Sequence, residues 1–196
     1  MKIMPTIQEL SIIKDKVKEE KNLIENSEKS LKKNKKVILG IDLSKAKPGI
    51  AVLSLELKKV VFTDDFVDKS EDTFSRYLEI KYWLQRIIEL FKPEAVMIEK
   101  EFIKPTKFGS KATIPLLKLH GYVYGIIKEY NLPMYEILPS SSRAFLKIKP
   151  NTKEGAFAYL QKNFPELQFT DFKKQNDKGD AVIIALNYLN SKKTEL

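Results

Sequence analysis

Apolar residues in the first half of the chain gather into three short runs whose length and spacing are those of strands. "KVILGIDLS" (36–44), "GIAVLSLE" (49–56) and "KKVVFTDDFV" (58–67) are rich in aliphatic and β-branched residues and are joined by short turns. Such a series predicts an antiparallel three-stranded meander. The period then lengthens. In "SEDTFSRYLEIKYWLQRIIELF" (70–91), Tyr77, Ile80, Leu84, Ile87, Ile88 and Phe91 recur at helical spacing, with Ser70 placed as N-cap. Pro93 breaks that pattern, and "AVMIE" (95–99) supplies a fourth strand. A Lys-, Gly- and Pro-containing loop (100–112) leads to the helix "TIPLLKLHGYVYGIIKEY" (113–130), and "LPMYEILP" reads as a fifth strand. Residues 139–163 read as a turn plus helix, and "NDKGDAVIIALNYL" (176–189) as a final helix with Asp177 as its N-cap and Asp180 in its first turn. The order βββαβαβα predicts an α/β domain. Three antiparallel strands followed by two βα units form one mixed five-stranded sheet, flanked by helices.

Residues 1–34 follow a different pattern. Leu10, Val17, Ile24 and Leu31 stand seven apart, but the companion positions are Ile13, Glu20 and Ser27, so the heptad seam is incomplete. The segment is expected to be a charged helical or partly disordered extension before a domain spanning 35–196. His120 falls on the apolar stripe of its helix with Leu116, Val123 and Ile127 and is expected to line the core.

Composition narrows the chemistry. The 196 residues suffice for one well-filled core, and a formal charge of +9 points to a polyanionic partner, nucleic acid by default. There is no cysteine and only one histidine, which removes disulfides, thiolate clusters and a His-based zinc site. Any metal ligands must then be carboxylates, the donors suited to Mg²⁺ or Mn²⁺. No apolar run reaches the ~20 residues of a membrane span. The N-terminus lacks a signal-peptide core, and Glu9, Asp15, Glu19 and Glu20 speak against a transit peptide. A cytoplasmic, non-exported protein is expected.

Four acids sit where a site would need them. Asp42 lies within the first apolar strand, where a carboxylate is costly unless paired or bound to a cation. Glu99 ends the fourth strand, the expected parallel neighbour of a central first strand, so the two acids should stand side by side. Asp177 and Asp180, three apart, share a helix face. Taken singly, each has an ordinary reading as a helix cap, a turn residue or a solvated strand end. Together they would repel one another unless divalent cations neutralised them. Two Mg²⁺ ions about 4 Å apart would do so, an arrangement that cleaves phosphodiesters.

The motifs "ILGIDLSKAKPGIAVL", "AVMIEKEF" and "NDKGDAVIIAL" resemble the three acidic motifs of the RuvC-type Holliday-junction resolvases, within the RNase H-like (retroviral-integrase) nuclease superfamily. The resemblance spans about residues 36–190. It implies an RNase H-like fold and Asp42, Glu99, Asp177 and Asp180 as catalytic ligands of two Mg²⁺ ions, with Mn²⁺ as a substitute. It further implies a homodimer acting on branched DNA, the four-way junction, in a bacterial or phage-infected cell. Phe102 matches the aromatic that such enzymes insert at the junction centre, and Arg143 and Lys153 match basic residues near the DNA and metals. Lys104, Lys107 and Lys111, in the basic loop "KEFIKPTKFGSK", are candidates for the junction face, with a solvated loop as the alternative. "DLSKAKPG" departs from the usual pattern, carrying Ser44 and a Lys-rich turn, and is more similar to phage-type members. Two other activities fit the same residues less closely: a less selective branched-DNA or RNA–DNA hybrid nuclease, and a catalytically idle DNA-binding or scaffold module.

Overall fold

In the computed structural model of the protein, residues 36–44, 47–67, 72–100 and 110–191 are described, except the side chains of 110–113, 139, 190 and 191. The expected extension over 1–34 lies outside the described residues. Five strands form one sheet: β1 (Val37–Asp42), β2 (Gly49–Ser54), β3 (Lys59–Asp65), β4 (Ala95–Glu99) and β5 (Met134–Ile137). Their spatial order is β3-β2-β1-β4-β5, with β1 central. The first three are antiparallel, while β4 runs parallel to both β1 and β5, as the order of elements requires.

Five helices are described: α1 (Thr73–Phe91), α2 (Ser110–Glu129), α3 (Pro139–Phe145), α4 (Lys153–Asn163) and α5 (Phe172–Ser191). Both faces of the sheet are covered, which explains why every residue of β1 and β2 is buried and why these strands read as near-continuous apolar runs. One face packs on α4 and α5: Ile38, Ala51, Leu53, Ala95 and Met97 share a core with Ala156, Phe157, Leu160 and the α5 run Ala181–Leu186. The opposite face meets α1 through its row Ile80, Leu84, Ile87, Ile88 and Phe91, with the Phe91 ring 4.9 Å from that of Phe62 on β3. Tyr77, expected on that row, is half-buried and stacks on Tyr122 of α2. His120 is buried, as expected.

α5 lies close against the centre of the sheet because Gly40 makes room. A Cβ at residue 40 would stand 2.5 Å from the carbonyl oxygen of Ala181 and 2.6 Å from the Ala185 methyl, far inside contact distance.

Two expected helix starts are corrected. α1 is capped by Asp72, whose carboxylate accepts from the amides of Phe74 (2.8 Å) and Ser75 (3.0 Å). Ser70, the expected cap, lies outside the described residues and two positions before the actual one. The last helix begins at Phe172, five residues before Asp177. The amide of Lys174 donates to Asp171 (3.3 Å), and Gln175 Oε1 accepts from the amides of Thr170 and Asp171. Capping is therefore done by Asp171 and Gln175. Asp177 and Asp180 sit in the helix body, where neither satisfies an orphan amide of the first turn.

Candidate active site

Strand alternation decides which acids can meet. Along β1, Ile38, Gly40 and Asp42 face α5; along β4, Ala95, Met97 and Glu99 do. Ile41 pairs with Ile98, so Asp42 and Glu99 follow one step on at adjacent strand ends. On the other side Asp42 pairs with Gly49, and Gly49 with Asp65 at the end of β3. Directly paired residues share a face, so one level of the sheet reads Glu99, Asp42, Gly49, Asp65 beneath α5. Gly49 leaves a gap in that row, which the helix fills. A Cβ there would stand 2.5 Å from the carbonyl oxygen of Asp177. α5 then supplies Asp177 and, one turn further, Asp180 over Asp42.

The electrostatics are those of acids pressed together. Burial, reinforced by the charges of Asp180 and Glu99, raises Asp42 well above the ordinary carboxylate range; Lys153 opposes the shift. Glu99 is pushed up to about 7, first by burial and then by Asp180, against Lys153 and Arg143. Burial also raises Asp177; Lys153 and Lys47 pull it down, while Asp65 and Asp180 add to the rise. Lys153, at the start of α4, answers this charge with its ammonium 2.7 Å from Asp180 Oδ2. Its own burial works to lower its pKa, but Asp180, Asp42 and Asp177 outweigh that and raise it. Arg143, on α3, approaches the other oxygen of Asp180 at 3.9 Å. The side-chain Nδ2 of Asn187 on α5 donates to the Ser142 carbonyl (3.0 Å), which ties α3 to α5 beside Arg143.

All four predicted acids and two predicted basic residues, Arg143 and Lys153, are thus brought together. Phe102, Lys104 and Lys107 lie outside the described residues. Lys111 falls within α2, but its side chain is not described. Two residues were missed by the sequence reading, Asp65 and Lys47. The signals were present, in the "TDD" closing the third strand and the extra lysines of "DLSKAKPG", but neither carries a motif.

The donor set suits a hard cation: four carboxylates, without sulfur or imidazole. It is not drawn tight, since among the described residues no three His, Cys, Asp or Glu side chains form a group that could hold an ion as they stand. Lys153 meanwhile partners Asp180. Binding a cation asks that Asp180 exchange its ammonium partner for the ion, and that the raised pKa values of Asp42 and Glu99 be overcome.

No family model matches the chain. Its curated relatives include the crossover junction endodeoxyribonuclease RuvC of Prochlorococcus marinus, 26% identical over 78% of this chain and 96% of that protein. That of Christiangramia forsetii is 28% identical over 87% of this chain and 88% of that protein. Among solved structures, Thermus thermophilus RuvC in complex with a Holliday junction substrate superposes with a TM-score of 0.65 at 18% identity, covering 81% of this chain and 96% of that one. The yeast mitochondrial Holliday junction resolvase Ydc2 follows at a TM-score of 0.55 and 18% identity, covering 83% and 85%. Relatives by sequence and neighbours by fold coincide: over most of its length the chain is similar to RuvC endonucleases, and its fold is the one that Thermus thermophilus RuvC and yeast Ydc2 share.

Proposed function

We propose that the protein is a divalent-metal-dependent, structure-selective DNA endonuclease that resolves four-way junctions by paired nicks. One observation carries the reading. Asp42, Glu99, Asp177 and Asp180 converge from three elements at the ends of the two central parallel strands, close enough that the charge of Asp180 helps to raise the pKa values of Asp42, Glu99 and Asp177. A fold has no structural need for such a cluster, and clustered buried charge costs stability unless it serves binding or chemistry. The names of the curated relatives support the same activity.

Asp42, Glu99, Asp177 and Asp180 would hold the cations, with Mg²⁺ the natural ion and Mn²⁺ a substitute. Two such ions, when bound, would sharpen a water for attack on the phosphodiester and offset charge on the leaving 3′-oxygen. The protein's own groups do the rest. Lys153 has half its side chain exposed, so its ammonium can leave Asp180 for a phosphate oxygen of the scissile strand. Arg143 is largely buried and stays to orient Asp180. A homodimer would set two such sites on the opposed strands of a two-fold junction. Light scattering should then return twice the chain mass of 22.7 kDa.

The test is cleavage of an end-labelled synthetic four-way junction in Mg²⁺, beside a linear duplex and an RNA–DNA hybrid of the same sequence. Paired, religatable nicks in the junction alone are expected, and Glu99→Gln should lower the rate by roughly 10²–10³-fold, the scale of losing one group that stabilises developing charge. Equal cutting of all three substrates would remove junction selectivity from the proposal. Tight junction binding without any cutting would leave a DNA-binding module.

A further inference from the structure

Beside the four acids stands a charged tie that the proposed chemistry does not use. Lys47 lies just before β2, and its backbone amide donates to Ser44 Oγ (2.8 Å). From there its ammonium reaches back under α5. There it meets Asp65 Oδ2 at 2.9 Å and the main-chain carbonyl of Lys174 at 2.6 Å. Three parts of the chain, 127 residues apart at the extremes, are joined by one side chain. Asp65 is well buried, and its other oxygen has no hydrogen-bond partner among the described residues. The pair is therefore more than a solvated surface bridge, and each partner depends on the other.

The place of this tie matters. Lys174 lies one turn before Asp177, and the Asp177 carbonyl rests on the gap left by Gly49, which pairs with both Asp42 and Asp65. Past residue 180 the helix is held by a continuous buried run, Ala181 to Tyr188. Before it, Phe172 packs on Phe157 of the core, but Lys173 and Lys174 are exposed and Gln175 to Lys178 only half-buried, so apolar packing holds the turn that carries Asp177 less firmly. Asp177 sits on that weaker part. We propose that Lys47, with Asp65 as its anchor, is a positioning residue. It straps the first turns of α5 to the sheet and thereby holds Asp177 over the strand ends that carry Asp42 and Glu99. This rests on the proposed nuclease activity for its consequence, but the strap itself can be tested without it.

The experiment compares Lys47→Met, Asp65→Asn, the double variant and Lys47→Arg with wild type by amide hydrogen exchange and by junction cleavage. Losing a charge-assisted hydrogen bond at a part-buried site should speed exchange across residues 174–180 about tenfold or more, with the rest of α5 unchanged. The rate of cleavage at saturating junction should fall about tenfold while KM stays constant, because misplaced Asp177 impairs chemistry and not binding. Losses in the double variant should not exceed those of the worse single one, and Lys47→Arg should restore most of both. Wild-type exchange in Lys47→Met would overturn the strap. So would a raised KM with an unchanged saturated rate, which would make Lys47 a phosphate contact. If wild type cuts no substrate, the nuclease reading fails, and exchange still decides the strap alone. If Lys47→Met does not fold, Asp65→Asn and Lys47→Arg carry the same comparison.

Discussion

Glu99 concentrates the site's dependence on pH. Its carboxyl is held at about 7, against an ordinary value of 4.5, chiefly by burial and then by Asp180. Between those two values the folded protein keeps a proton that the unfolded chain has released. The stability that this carboxyl contributes without metal should therefore be fully present below about 4.5 and be lost as pH rises through 7, with Asp42 acting in the same direction. Urea midpoints measured from pH 4.5 to 8 should decline in EDTA, decline less in Mg²⁺, and flatten in Glu99→Gln. A midpoint rising across that range would contradict the burial and coupling described for this carboxyl. At this scale the sequence was informative because cost is visible in it: an Asp inside "LGIDLS" has to be explained. Asp65 was less legible, since two adjacent acids at a strand end look alike until alternation sends one to each face. Asp64 turns toward α1 and accepts from Trp83 Nε1 (2.7 Å); Asp65 turns toward α5.

Among the elements, α5 joins fold to site, and two glycines let it do so. Gly49→Ala would drive a methyl into the Asp177 carbonyl. Overpacking of this kind costs about 1–3 kcal/mol. The strain falls on the backbone of a proposed ligand, so cleavage should suffer more than thermal stability. A Gly49→Ala protein with wild-type cleavage would show that α5 does not need this close approach. The start of α5 was misread because "DFKKQN" has no apolar period to announce a helix, while "NDKGD" has the composition of a cap. The true cap, Asp171 with Gln175, uses a Gln side chain to close two amides before the helix, a pattern that spacing alone did not reveal. The strands were easier to read. The runs of β1, β2 and β4 match the buried spans nearly residue for residue, because the middle of a sheet covered on both faces leaves no polar alternation to confuse.

Over the whole molecule, a charge of +9 combines with a strongly acidic centre. The excess positive charge is therefore carried by residues other than the clustered acids, which suits a polyanion whose scissile phosphate alone approaches the carboxylates. Junction affinity should fall steeply and linearly in log–log form between 50 and 200 mM salt, the range over which proteins with several phosphate contacts lose orders of magnitude. Affinity indifferent to salt would remove the phosphate-led mode of binding. The topology was legible from element order, because three antiparallel strands followed by βα units leave β1 central and β4 its parallel neighbour.

The position of α5 in the chain has a consequence for biosynthesis. A ribosome completes all five strands before it reaches Phe172, so a nascent or prematurely ended chain has its sheet but lacks the helix that covers Gly40 and Gly49. Such a fragment exposes apolar surface and is a natural client for chaperones or proteases. It also lacks Asp177 and Asp180, and so cannot assemble the carboxylate set. The helix that covers the sheet of the growing polypeptide is the same one that completes the carboxylate set.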